Sequence, residues 1–158
     1  MRLRRMVGDF WSRSPNACNV AIGYPPPVLR TEDRPPVLSF TPMRLGPRPW
    51  PPKGPGRSVL VNGRSLPLQN VQLDRLLLVH ALEFDPSPSR LLEECWRVLD
   101  GAGRLMVMVP NRNGLWARAE KTPFGHGRPY SRGQLRKLLA DHGFNPVRAQ
   151  TALFMPCL

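Results

Sequence analysis

The residues that could do chemistry in this chain are few and widely spaced. Cys18, Cys95 and Cys157 make no CxxC pair and no disulfide framework. His80, His126 and His142 form no HExxH, and none clusters with a cysteine, so no metal-ligand spacing exists and no metal is expected. Unpaired thiols fit a reduced, cytoplasmic compartment. The remaining chemistry is positive charge: 23 basic against 11 acidic residues, a formal net charge of +12. Twenty of the 23 are arginine. Such a balance suits nucleic acid. The arginines are nevertheless scattered, with no run longer than two, and together with 20 prolines they also fit a GC-rich coding bias. A basic nucleic-acid-binding module is therefore the minor reading, supported by charge alone.

The elements that position these residues belong to one domain of 158 residues, with 41% hydrophobic residues to build a core. No apolar run approaches the length of a transmembrane helix, and MRLRRMVGDF lacks the apolar stretch of a secretory signal. Residues 1–18 read as a basic lead-in helix. Leu3, Met6, Val7, Phe10 and Trp11 recur on one helical face, stopped by Pro15 and Asn16. Residues 19–158 form the main domain. Asn19 to Gly23 (NVAIG) reads as a short buried strand, followed by Pro25, Pro26 and Pro27, which no helix interior tolerates. Val37 to Phe40 is a second short strand, and 42–57 a loop loaded with proline and glycine.

The strongest patterns follow. Ser58 to Val61 is a strand ending at the Asn62-Gly63 turn, and Leu73 to His80 a strand apolar enough for burial on both faces. Ser87 as N-cap and Pro88 at the first helical position start a helix to Leu99, with Leu91, Leu92, Cys95, Val98 and Leu99 on its core face. Gly101 and Gly103 are expected to end it. Arg104 to Val109 is another buried strand, Ser131 caps a helix to about His142, and Val147 to Met155 reads as a last strand. Strand, helix and strand in this order make a right-handed βαβ unit. The fold class expected is α/β: a Rossmann-like, doubly wound, mostly parallel sheet, incomplete at its C-terminal edge.

From Leu66 to Arg118 the residues carry a family resemblance. Leu66-Pro67, Leu73-Asp74, Trp96-Arg97-Val98-Leu99 and Gly101-Ala102-Gly103-Arg104-Leu105 match the pattern of a class I S-adenosylmethionine-dependent methyltransferase of the small type 11 kind. The tail PNRNGLWAR…TPFGHGRPYS is similar to one bacterial branch of that family. The resemblance is specific over about 65–135 and faint over 16–64. It implies S-adenosylmethionine as cofactor, bound beyond the carboxyl ends of the strands. It also implies three departures. The glycine turn after the first strand is Ala21-Ile22-Gly23-Tyr24, with only the second glycine of a G-x-G. Phe40-Thr41-Pro42 stands where many members carry the acid that binds both ribose hydroxyls; Glu32 and Asp33 precede that strand. The family usually ends with a hairpin of two further strands, and here the first is reached.

On that resemblance, Ala21, Gly23, Tyr24, Asn62, Leu66 and His80 are the candidate cofactor contacts. For each there is a plainer role: an ordinary strand-end glycine for Gly23, a turn and a core leucine for Asn62 and Leu66, a hydrogen-bonded strand-end histidine for His80. Glu83 is expected to be a solvated loop carboxylate rather than a polar contact near the methyl group. Asn111, Arg112, His126 and Tyr130 lie in the long loop after the fifth strand, which in this fold meets the acceptor substrate; the plainer reading is a surface loop. Cys95 is core. The expected function is methyl transfer to an unknown acceptor by in-line displacement. The sulfonium is already activated, so the protein chiefly positions the acceptor and excludes water. No catalytic residue is assigned; His80 and His126 are the nearest bases by type if the acceptor must lose a proton. The alternative is an inactive, methyltransferase-like binding module. No membrane partner is expected, and an open sheet edge would favour an oligomer.

Overall fold

A computed structural model of the chain describes residues 2–43, 46, 49–110 and 130–150. Its centre is a five-stranded sheet in the order β3-β2-β1-β4-β5. The strands are β1 (Asn19–Gly23), β2 (Val37–Pro42), β3 (Ser58–Val61), β4 (Leu73–Val79) and β5 (Leu99–Met108). All four pairings are parallel, including β4 with β5. The expected parallel sheet is therefore the observed one. Among the described residues three helices flank it: α1 (Arg2–Phe10), α2 (Pro88–Val98) and α3 (Arg132–Asp141).

Alternation along the central strands divides the core in two. Val20 and Ile22 of β1 join Leu76 and Leu78 of β4 beneath Leu91, Leu92, Cys95 and Val98 of α2. Ala21, Leu77 and Val79 face the other way, onto Val7 and Trp11 of the first helical segment and onto Val28, Leu29 and Trp50. Successive side chains of a strand point to opposite faces, so a strand apolar throughout needs cover on both. β1 is buried along its whole length for that reason.

The cover on the second face is unusual. A parallel neighbour demands a crossover of a dozen residues or more, ordinarily a helix. Between β1 and β2 that crossover is 24–36, and it holds only a single 3₁₀ turn, Pro26–Val28, as the triple proline dictates. Between β2 and β3 no helix appears among the described residues. α1 and Trp50 cover the exposed sheet face instead. α1 is tied down by Arg4 Nε to Pro27 O (2.8 Å) and by Arg75 Nε, from β4, to Phe10 O (3.1 Å).

The structure differs from expectation in several places. β2 extends to Pro42, because Thr41 and Pro42 go on pairing with Leu60 and Val61 of β3 after the pairing with β1 ends at Phe40. α2 stops at Val98, and Gly101 and Gly103 lie within β5 rather than ending the helix. The register with β4 slips there, Leu73 pairing Leu99 but Arg75 pairing Arg104. The apolar run of β5 is half-buried rather than buried on both faces, as it has a strand neighbour on one side only among the described residues. Residues 147–150 are irregular, and the rest of the expected last strand lies outside the described residues.

Candidate functional site at the carboxyl end of the sheet

The carboxyl ends of β1 and β4 meet at Gly23 and Val79, which are register partners. Gly23 has φ +111, a conformation that side chains rarely adopt, and a Cβ there would overlap the Val79 carbonyl oxygen. Tyr24 N–H donates to that same oxygen at 2.8 Å. The glycine thus lets β1 turn away while still held against β4, and leaves bare backbone at the sheet's edge. Tyr24 follows it, 41% exposed, while Ala21 is fully buried in the sheet.

β4 ends in a second unusual turn. His80 N–H donates to Met108 O (3.0 Å), the last rung toward β5, and His80 itself has φ +52. Histidine is among the few residues enriched in this left-handed region. The chain then buries Ala81 and Leu82, and this draws Glu83 inward. Glu83 Oε1 lies 2.7 Å from His80 Nδ1. The Glu83 side chain is 0% exposed against 23% for His80, and its Oε2 is buried without a hydrogen-bond partner. Glu83 is therefore not the solvated loop carboxylate expected. Its burial comes from the neighbouring core residues, which no local pattern announces.

The loop after β3 comes to the same end. Asn62 Oδ1 accepts from Arg64 N–H (2.9 Å), an Asx turn, and Asn62 is exposed. Leu66 sits in the core, its N–H donating to Glu94 Oε2 (2.7 Å) and its carbonyl accepting from Arg97 (3.0 Å). Arg97 also donates to Leu68 O, Asn70 Oδ1 and both oxygens of Glu94. The Arg97 guanidinium holds the Glu94 carboxyl below the usual carboxylate range, and Glu94 in turn holds Arg97 up. Together the two pin the β3–β4 loop to α2.

At the end of β2, Thr41 and Ser39 carry buried hydroxyls without partners. No carboxylate stands there: Asp33, in the loop before the strand, pairs with Arg30 at 3.0 Å. Tyr130 is half-buried against the α2 side of the core. Asn111, Arg112 and His126 lie outside the described residues. A cavity of about 300 Å³ opens elsewhere, between α1 and the loop before β2, lined by Trp11, Arg13, Arg30, Asp33 and their neighbours. It lies at the amino ends of β1 and β2. In an open α/β sheet ligands bind at the carboxyl ends, so the Gly23–His80 region is the candidate site. Among the described residues no cluster of His, Cys, Asp and Glu could hold a metal ion, and no helix is long and apolar enough to cross a membrane.

Comparison with known proteins agrees with this geometry. A family model described as a methyltransferase domain matches residues 44–107. A "Probable S-adenosylmethionine-dependent methyltransferase" of Mycobacterium tuberculosis is 36% identical over 95 residues, 59% of this chain and 34% of the relative. This chain thus spans about a third of that relative's length. An uncharacterized protein of Methanocaldococcus jannaschii is 24% identical over 102 residues, 61% of this chain and 50% of its own. Among solved structures, methyltransferases of Thermotoga maritima (TM-score 0.65, 21% identity, 91% of this chain and 70% of that one) and Archaeoglobus fulgidus (TM-score 0.65, 20% identity, 91% and 66%) share the fold. Over residues 44–107 this chain is thus similar to a methyltransferase domain, and its parallel sheet shares the fold of class I S-adenosylmethionine-dependent methyltransferases.

Proposed function

We propose that this chain binds S-adenosylmethionine at the carboxyl ends of β1 and β4 and directs its methyl group to an acceptor held by the loops above the sheet. The observation that carries this reading is the Gly23 turn. It is a strand end without a side chain, pressed on Val79, where backbone can approach a ligand closely. The bound cofactor supplies an electrophilic methyl group. The residues that would hold it are Gly23 and Tyr24 through their backbone and His80 through its side chain, with Glu83 buried behind it. Thr41 offers one hydroxyl where a ribose-binding carboxylate is common, so the affinity is weaker than in a member with that acid by about 1–3 kcal/mol.

Titration calorimetry with S-adenosylmethionine tests the reading. A saturable heat that disappears in Gly23→Val, with the Gly23→Val sheet shown intact by circular dichroism, is the expected result. Heat that survives in a folded Gly23→Val places the cofactor elsewhere, and no heat from the wild type refutes the proposal.

A further inference from the structure

We propose that the cavity at the amino ends of β1 and β2 is a second ligand site, and that it takes a nucleoside monophosphate, base inward and phosphate at the rim. The site lies at the opposite end of the sheet from Gly23, and the inference does not rest on the methyltransferase reading above. About 300 Å³ of space opens there between α1 and the loop before β2. That is the low end of the range for small-molecule sites, room for a heterocycle rather than for a dinucleotide.

Two buried polar atoms belong to residues of its wall. Trp11 is 5% exposed, and its indole Nε1 has no hydrogen-bond partner. Asp33 is 7% exposed, and its Oδ2 has none either. An indole N–H can only donate and a carboxylate oxygen can only accept. The wall thus offers one orphan of each kind, and burying either without a partner is unfavourable. The neighbouring groups are committed elsewhere. Asp33 Oδ1 accepts from Arg30 Nε (3.3 Å) and Nη2 (3.0 Å), which leaves Oδ2 over. Arg34 Nη1 donates to Thr31 O and to Asp33 O, both at 2.8 Å, and so fixes the loop. Gly8 makes room for this arrangement: a Cβ there would overlap the Arg30 guanidinium. Glycine is a poor helix residue, so its place within α1 fits a need for that space.

Charge at the rim selects an anion. Three guanidinium groups, of Arg13, Arg30 and Arg34, line the cavity against two carboxylates, Glu32 and Asp33. Arg13 is exposed and makes no hydrogen bond or ion pair among the described residues. The net charge of +12 on the whole chain adds to the attraction. The matching ligand therefore carries a donor for Asp33, an acceptor for Trp11 and a negative group for Arg13. A nucleobase sets a donor beside an acceptor on one edge, as adenine does with its N6 amino group and N7. Its phosphate suits the guanidinium fork. A free amino acid also brings a donor and an acceptor, but it is neutral overall and leaves the excess positive charge unmatched. Inorganic phosphate suits the arginines alone.

Calorimetric titration of the full chain with the four ribonucleoside monophosphates, inorganic phosphate and glycine tests this. At least one nucleotide is expected to bind saturably, and about 10-fold or more tighter than inorganic phosphate or glycine. Arg13→Gln should weaken that binding by about 10-fold, and since Arg13 has no bond to lose the fold is not at risk. The Trp11 indole N–H resonance, assigned by its loss from Trp11→Phe, should move downfield as the nucleotide is added. Saturating S-adenosylmethionine should leave the nucleotide affinity unchanged. The proposal is overturned by nucleotides that bind no better than glycine or inorganic phosphate, or by binding that Arg13→Gln leaves intact. A Trp11 resonance that stays in place overturns it too, as does displacement by S-adenosylmethionine, which would put the nucleotide in the cofactor site. If S-adenosylmethionine itself fails to bind, the methyltransferase reading falls and this one stands.

Discussion

Gly23 and Cys95 show how much a single position is asked to do. With φ +111 and the Val79 carbonyl against its Cα, Gly23 has no room for a methyl group. Gly23→Ala is expected to cost at least about 2 kcal/mol, from the left-handed backbone and the overlap together, read by urea denaturation. A cost below half of that would mean the turn relaxes freely. Cys95 is chemically silent for a different reason. Complete burial, with the nearby Glu94 charge adding to it, pushes its thiol far up from the ordinary range, and Cys18 is raised by the same two kinds of cause through partial burial and Asp74. A buried thiol that stays protonated is a poor nucleophile. Alkylation of Cys95, mapped by mass spectrometry, should be at least about 100-fold slower in the native protein than in urea. Comparable rates would show that α2 opens readily.

α2 and the loop before β4 form one mechanical unit through Arg97. Its five hydrogen bonds reach Leu66, Leu68, Asn70 and Glu94. Arg97→Ala should destabilise the fold by about 2 kcal/mol, since it leaves carbonyls of the loop and a largely buried carboxylate unpaired. The pair also sets a pH dependence. The folded-state value of Glu94 is lowered, so its contribution is present above the unfolded carboxylate value of about 4.3 and is lost as pH falls through the folded value. The acid limb of a stability–pH curve should therefore be shallower in Arg97→Ala than in the wild type; an unchanged limb would mean that Glu94 finds another cation. α3 is held more locally. Ser131 Oγ accepts from Gln134 N–H at 3.1 Å and the Gln134 side chain returns the bond to Ser131 N–H at 3.0 Å, a full capping box. Ser131→Ala is expected to cost about 1 kcal/mol, seen as a drop in thermal midpoint. By contrast Ser87 makes no capping bond with its side chain and accepts from Arg64 instead (3.2 Å).

Across the whole molecule, stability is concentrated in the centre of the sheet. β1 and β4 are covered on both faces, one of them by α1 and Trp50 in place of crossover helices. β3 lies at the edge, with Val59 and Leu60 each 46% exposed. Hydrogen exchange should find the amides of Leu76, Leu77 and Leu78 protected close to the global limit and those of Val59 and Leu60 exchanging by smaller openings. Equal protection would show that the proline-rich connection grips the edge more firmly than its contacts suggest. An edge strand of this kind also exposes unpaired backbone and apolar side chains to other chains.

The sequence by itself determined the strands β1 and β3, the start of α2 at Pro88, the Ser131 cap and the absence of a helix after β1. These follow from local causes: apolar runs of strand length, a proline at the first helical turn, a hydroxyl before a glutamine, and three prolines where a helix would need donors. The Gly23 turn was legible as a glycine at a strand end, and the likeness to a methyltransferase domain through its spaced motifs. Only the tertiary structure decided that Glu83 is buried on His80, because its burial is conferred by Leu82 and the sheet beneath rather than by any periodicity. Only the tertiary structure showed that Arg97 divides its guanidinium between Glu94 and a loop some thirty positions earlier. It alone decided that the LMVMV run of β5 is half-buried, since burial depends on which neighbours arrive and not on the hydrophobicity that invites them.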